Sequence, residues 1–149
     1  MELSIENLGY LLNKSTHLLK ADLSTRLSRL EMTVPQWAVL RDLYEQEELP
    51  LEERKVTPAH VAERLHADRP TISGITYRLM AKDFLKSIPH PSDRRSQLLL
   101  LTDKSRELLP QIERMSRESI EQALSGIEQS DIQQLVRSLQ RMISNLQRI

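Results

Sequence analysis

Residues 57–102 read TPAHVAERLHADRPTISGITYRLMAKDFLKSIPHPSDRRSQLLLLT, and this stretch decides the fold. Thr57 followed by Pro58 predicts the start of a short helix, because threonine caps helices and proline is tolerated in their first turn. A brief turn at residues 66–68 leads to a second helix, and a hairpin over 84–101 follows. Two short helices joined by a tight turn and followed by a hairpin indicate a winged helix-turn-helix.

The second of these helices is predicted over about 69–82, with one apolar face and one small or polar face. The hairpin has predicted strands over 84–90 and 97–101, separated by a tip that is rich in turn-forming residues. Four consecutive leucines at 98–101 do not alternate with polar residues, which indicates that both faces of this strand are covered.

Two helices are predicted before this stretch. The first, over about 4–29, carries an apolar stripe, and the second begins at Thr33 ahead of Pro35. Its inward face is predicted to hold Trp37, Leu40 and Leu43. The charged segment 45–55 is predicted to be a surface loop. The stripe of the first helix consists of Ile5, Leu8, Leu12, Leu19, Leu23, Leu27 and Leu30.

Two long helices are predicted after it. One runs from a Thr102 cap to Ser125, with Gly126 as its stop, and the other starts with a capping box at Ser130-Asp131-Ile132-Gln133. The stripe of the last helix is Ile132, Leu135, Val136, Leu139, Met142, Ile143, Leu146 and Ile149. A small winged-helix core cannot cover so much apolar surface, so a symmetric homodimer is predicted, with packing inside one chain as the alternative.

The chain of 149 residues is long enough for one domain with a core of its own. Residues 33–102 are predicted to be a DNA-binding lobe, and residues 1–32 and 103–149 to be dimerisation helices. Residues 54–102 hold nine Lys and Arg against four Asp and Glu, whereas residues 1–53 hold five against ten. A basic centre within a chain of zero net charge suggests a local footprint for nucleic acid.

The absence of cysteine excludes thiol redox sensing, zinc–thiolate sites and cysteine catalysis, and it fits a reducing cytoplasm. No run approaches the roughly 20 apolar residues of a membrane span, and the amphipathic beginning of the chain does not read as a signal peptide. A cytoplasmic protein without a membrane partner is expected.

Two motifs in the quoted stretch resemble the MarR (multiple antibiotic resistance regulator) family of transcription regulators. Residues 65–79 are similar to its recognition-helix region, and residues 91–102 are similar to its wing, with Asp-Arg-Arg before an apolar strand that ends in Leu-Thr. Residues 33–40 also resemble the start of its second helix. Asp83 departs from the family, which usually turns with glycine there, and Ser87-Ile88 replaces a pair that is often basic.

The resemblance implies a regulator, most often a repressor, that binds pseudo-palindromic double-stranded DNA as a homodimer. Small side chains on the second short helix permit close approach to base edges, and arginines there and on the wing can donate to guanine or phosphate. Asp93 is expected to orient an arginine by a carboxylate–guanidinium pair. The predicted DNA-binding residues are Arg69, Pro70, Thr71, Ser73, Gly74, Tyr77, Arg78, Asp93, Arg94 and Arg95.

The resemblance also implies an effector pocket, often for aromatic or phenolic anions, between the dimer helices and the DNA-binding lobe. The candidates to line it are Tyr10, His17, Trp37 and Met115, of which Trp37 and Met115 have the alternative reading of core residues.

No enzyme, metal site or cofactor is expected, because the four histidines lack metal-ligand spacing and no nucleophile or phosphate-binding motif occurs. The competing function is a dimeric helical interaction module that has lost DNA binding.

Overall fold

A computed structural model describes residues 4–147. In this part of the chain, six helices surround a two-stranded antiparallel hairpin, which confirms the predicted mainly helical winged helix-turn-helix. The elements in chain order are α1 (Ile5–Ser28), α2 (Val34–Gln46), α3 (Pro58–Arg64), α4 (Arg69–Ala81), β1 (Leu85–Pro89), β2 (Gln97–Leu101), α5 (Asp103–Ala123) and α6 (Gln129–Leu146).

Side-chain caps fix the beginnings of most helices. Thr33 and Gln36 form a reciprocal capping box at α2, in which each side chain accepts the other's backbone N–H. Thr57 caps α3, and Thr102 caps α5 through the N–H of Ser105. The three predicted helix starts are therefore confirmed, because a threonine oxygen replaces the partner that the first N–H groups lack.

Two local predictions are wrong. Ser130 does not cap α6: the helix begins at Gln129 after an extended Glu128, and no side chain caps it. The segment 45–55 is not entirely loop, because α2 continues to Gln46 and Leu51–Glu53 form a 3₁₀ turn. Helix α5 ends at Ala123, two residues earlier than predicted.

The core lies where α1, α2, α4 and α5 meet the root of the hairpin. Its largest fully buried side chains come from every one of these elements. The apolar ones are Leu27, Val39, Leu40, Leu43, Ile72, Leu79, Leu101, Leu109 and Ile112, together with Val61 of α3. Trp37, predicted to face inward, is half-buried and packs against the edge of this core.

Backbone hydrogen bonds hold the hairpin at the end of its strands that lies nearest the core. Leu85 pairs with Leu101, and the strands stay in register out to Pro89 and Gln97. The N–H of Leu99 donates to the carbonyl of Val56 at 2.9 Å, so the connection before α3 runs beside β2. In β2, Leu99 and Leu101 are buried while Leu98 and Leu100 are half-buried, so both faces are covered as the leucine run predicts.

The outer helices leave apolar surface uncovered. No residue of α6 within the described part of the chain is buried, and Val136, Ile143 and Leu146 are exposed. The N-terminal part of α1 is also exposed, with Ile5 at 89%. The predicted α6 stripe therefore exists on one helix, although its last member, Ile149, lies outside the described residues.

Candidate nucleic-acid interface

Helix α4 divides into a buried and an exposed face. Ile72, Thr76 and Leu79 are buried against the core, and the hydroxyl of Thr76 donates to the carbonyl of Ser73 rather than remaining unpaired. All seven α4 residues predicted to contact DNA lie on the exposed side, and Tyr77 is 71% exposed. They are Arg69, Pro70, Thr71, Ser73, Gly74, Tyr77 and Arg78.

Two groups of basic side chains stand out in the lobe. Arg54 donates to the carbonyls of Glu47 and Leu49, and Lys82 donates to the carbonyl of Glu31. Arg64 forms a bidentate pair with Asp42, with both N–O distances at 2.7 Å. These cations stabilise the fold, because their hydrogen-bond donors are already paired with protein oxygens.

The second group consists of arginines that reach outward. Within residues 4–147, the guanidinium groups of Arg69, Arg78, Arg94 and Arg95 make no hydrogen bond or ion pair to the protein. All four are exposed, two on α4 and two on the hairpin tip. Unpaired guanidinium groups are suited to bidentate contacts with phosphate or guanine.

A carboxylate that sequence reasoning placed in a turn proves to cap α4. Asp68 accepts the backbone N–H of Thr71 at 2.7 Å and the Thr71 hydroxyl at 2.9 Å. These two hydrogen bonds, the backbone one first, lower the pKa of Asp68 below its ordinary value. An aspartate just before Arg69-Pro70 is the signal that was available, because proline marks a first helical turn.

The hairpin tip is shaped by its own hydrogen bonds. His90 Nδ1 accepts the N–H groups of Ser92 and Asp93 at 3.2 Å, and the N–H of His90 donates to the carbonyl of Ser96. Asp93 does not form the predicted pair with a guanidinium group. Its carboxylate accepts the backbone N–H of Arg95 at 2.9 Å, because that N–H lies within reach in the tight turn.

A groove of about 560 Å³ lies between α1, α2 and α4. His17 and Lys20 stand on its α1 side, and Thr71, Ile72 and Ile75 of α4 stand on the other. Of the four predicted pocket residues, only His17 is found here. Tyr10 is exposed with Lys14 over its ring, Met115 packs against the core, and Trp37 lines a separate shallow depression with Arg41.

Two features typical of other classes of protein are absent from residues 4–147. No group of three or more His, Asp or Glu side chains there could hold a metal ion. No helix there is long and apolar enough to cross a membrane.

Comparison with known proteins converges on one family. Residues 32–97 match the model of the MarR family. The HTH-type transcriptional repressor IacR of Pseudomonas putida is 25% identical over 121 residues, which cover 81% of this chain and 68% of the repressor.

Two solved structures share the fold. The MepR protein of S. aureus, solved as a DNA complex, has a TM-score of 0.80 and 21% identity over 97% of this chain and 99% of that one. A MarR transcriptional regulator from Methanosarcina mazei Go1 has a TM-score of 0.83 and 19% identity, over 96% and 98%.

Proposed function

We propose that the chain, whose residues 32–97 match the model of the MarR family of transcription regulators, is a repressor of that family that binds pseudo-palindromic double-stranded DNA as a homodimer and is released by a small aromatic acid. The observation that carries the proposal is the set of outward arginines on α4 and the hairpin tip. They have no protein partner in the described chain, whereas other cations of the same lobe do.

Helix α4 is the recognition helix of this proposal. An α-helix fits the major groove, where each base pair presents a distinct pattern of donors and acceptors. Thr71, Ser73 and Gly74 are small enough to let the backbone approach the base edges. Arg69 and Arg78 supply donors for guanine or phosphate, and the exposed Tyr77 reaches phosphate.

The hairpin is the wing. Its tip presents Arg94 and Arg95 in a loop whose shape is set by His90 and by the Asp93–Arg95 backbone contact. Because the loop is hydrogen-bonded before DNA arrives, little ordering is required on binding. Arginine is favoured in a narrow minor groove, where the negative potential is enhanced.

A second copy of the chain is the partner for the exposed helices. The N-terminal part of the α1 stripe and the α6 stripe have no covering element within the described residues, and continuous apolar surface of this kind is usually buried in an interface. A twofold dimer places two recognition helices on half-sites about 34–36 Å apart. Pseudo-palindromic operators follow from that symmetry.

The groove beside α4 is the proposed effector site. Its apolar wall from Ile72 and Ile75 suits an aromatic ring, and Lys20 offers a cation and His17 a ring N–H to a carboxylate. A ligand here contacts the dimerisation helix α1 and the recognition helix α4 together. If it fits only one spacing of the two helices, it shifts the population away from the DNA-binding state.

The decisive experiment is a mobility shift with the DNA upstream of the gene, using three variants. Arg95→Ala should weaken specific and non-specific DNA binding alike, because it removes a contact to the DNA backbone. The slope of log binding constant against log salt concentration should become shallower by about one unit. Thr71→Ala should cost about 1–3 kcal/mol on the true site and leave non-specific binding nearly intact. Arg114→Ala, an exposed arginine of α5, is the control and should bind as the wild type does.

Circular dichroism must first show that each variant is folded. If Arg95→Ala and Thr71→Ala both bound DNA as tightly as Arg114→Ala does, α4 and the wing would not be the DNA-reading elements. The dimeric interaction module would then be the better account.

A further inference from the structure

The first turn of α4 carries a side-chain pair whose hydrogen bonds restrict what it can read. Asp68 uses one carboxylate oxygen for the N–H of Thr71 and the other for the Thr71 hydroxyl. Both residues are exposed, on the surface proposed above to meet DNA. The inference drawn from this pair rests on that proposed function.

The direction of the hydroxyl bond is fixed by chemistry. An ionised carboxylate can only accept, so the single hydroxyl proton of Thr71 points toward Asp68. Oγ1 of Thr71 then has only lone pairs to offer an outside partner, beside the methyl group. Threonine is stiff about its first side-chain torsion, and the bond to Asp68 selects one of its two helical rotamers.

Asp68, like Oγ1 of Thr71, offers only hydrogen-bond acceptors to an outside partner. Its charge and its remaining lone pairs also accept hydrogen bonds and repel acceptors, including phosphate oxygens. This corner of α4 therefore contains two acceptors and a methyl group, whereas Arg69 beside it is a donor. Such a corner matches a base that carries an amino group in the major groove, which means N4 of cytosine or N6 of adenine. Guanine shows it only O6 and N7, both acceptors.

We propose that Asp68 is a specificity-determining residue of this regulator: through Thr71 it makes the first turn of α4 select cytosine or adenine and reject guanine on the strand that it faces. Asp68 acts on the base through its own lone pairs and by orienting the Thr71 hydroxyl.

A simple helix cap is the competing role, and Asp68→Asn separates the two. Asparagine retains a side-chain oxygen for the N–H of Thr71, so the cap and the fold are preserved. Its amide nitrogen, however, is a donor and faces Oγ1 of Thr71, which reverses that hydrogen bond. The Thr71 proton is then free to donate outward, so guanine O6 or N7 becomes an acceptable partner.

The test is selection of bound sequences from a randomised double-stranded DNA library by the wild type and three variants. Wild type should select cytosine or adenine at one position of each half-site. Asp68→Asn should raise the share of guanine there on the order of tenfold and leave the other positions unchanged. Thr71→Val, which keeps the shape but has no hydroxyl acceptor, should weaken the discrimination between cytosine and guanine, because only the acceptors of Asp68 remain.

Asp131→Asn is the matched control, because it removes one exposed carboxylate from the first turn of α6, outside the lobe. It should select the same sequences as the wild type. If Asp68→Asn and Thr71→Val did so too, the inference would be overturned and Asp68 would be a helix cap, with the proposed function intact. If the wild type enriched no sequence at all, the proposed function would fail and this inference with it.

Discussion

Within residues 4–147, three residues other than glycine hold their backbone in the left-handed region, namely Glu31 at φ 52°, His66 at φ 52° and Asp83 at φ 61°. This conformation brings Cβ close to the following carbonyl, and only glycine adopts it without cost. At Asp83 the surroundings impose it. Its N–H donates to the carbonyl of Met80 at 3.0 Å, and its carbonyl accepts the Thr102 hydroxyl at 2.7 Å.

Replacing Asp83 by glycine should stabilise the protein. Relief of the backbone strain should exceed the extra entropy of glycine in the unfolded chain, for a gain of about 0.5 kcal/mol in the free energy of unfolding. Gly126→Ala is the reverse control: its φ is 80° and no atom lies within 4 Å of an added Cβ, so the loss should be conformational alone. Urea denaturation measures both, and a destabilised Asp83→Gly protein would contradict the argument.

Helix caps show how far single residues can be predicted from sequence. Thr33, where the second helix is predicted to begin, caps that helix, and Thr57 and Thr102 were correctly predicted as caps. Ser130 was not, because a turn closed by the Ile127 N–H to the Leu124 carbonyl leaves Glu128 extended and starts α6 early. Asp68 was assigned to the turn at residues 66–68, although Pro70, which marks a first helical turn, was the available signal that Asp68 caps α4.

An ion pair between α2 and α3 fixes the position of α3, the first helix of the helix-turn-helix. Arg64 of α3 meets Asp42 of α2 through two parallel bonds of 2.7 Å and donates a third, also 2.7 Å, to the carbonyl of Lys55. The Asp42 side chain is 9% exposed and that of Arg64 is 29% exposed. Removing one partner would leave a largely buried charge without compensation.

Arg64→Ala should therefore lower the free energy of unfolding by about 2 kcal/mol, less than for a fully buried pair because Arg64 retains some solvent. Arg41→Ala is the matched control. Arg41 pairs with Glu45 on the surface of α2, with side chains 55% and 62% exposed, and its loss should cost about 0.5 kcal/mol or less. Equal destabilisation of the two variants in a denaturant titration would refute the structural role of the Arg64–Asp42 pair.

Sequence periodicity predicted the elements better than their meeting points. The spacing of leucines located α1 and α6, and the leucine run located β2, since burial imposes a period on each element by itself. The groove was predicted less well. Only His17 among its proposed residues lies there, because periodicity shows which face of a helix is apolar and not which helix covers it.

The outer helices of the molecule leave apolar surface uncovered. Leu139 is half-buried in the α6 stripe, between exposed Val136 and Ile143. In the proposed dimer this stripe is buried against the second copy. Assembly and DNA binding should therefore be lost together, because one lobe alone reads half a site.

Leu139→Asp should raise the dimer dissociation constant at least roughly 100-fold, because an unpaired charge in an apolar interface costs several kcal/mol. Sedimentation equilibrium should give twice the chain mass of 17.3 kDa for the wild type and a monomer for the variant. Gln134→Asp, which adds the same charge to an exposed position away from the stripe, should remain dimeric. A wild type that is monomeric at micromolar concentration would remove the basis of the dimer proposal.

The groove connects that assembly to regulation, because α1 and α4 both line it, together with α2. Salicylate, a small phenolic acid, should raise the melting temperature, since a ligand at a hundred times its dissociation constant stabilises the native state by about 2.7 kcal/mol. It should also release DNA in the mobility shift. Lys20→Ala should abolish both effects by removing the cation for the carboxylate, whereas Lys14→Ala, which removes the lysine over the Tyr10 ring, should abolish neither. If both variants still responded as the wild type does, salicylate would act elsewhere and the groove would not be the effector site.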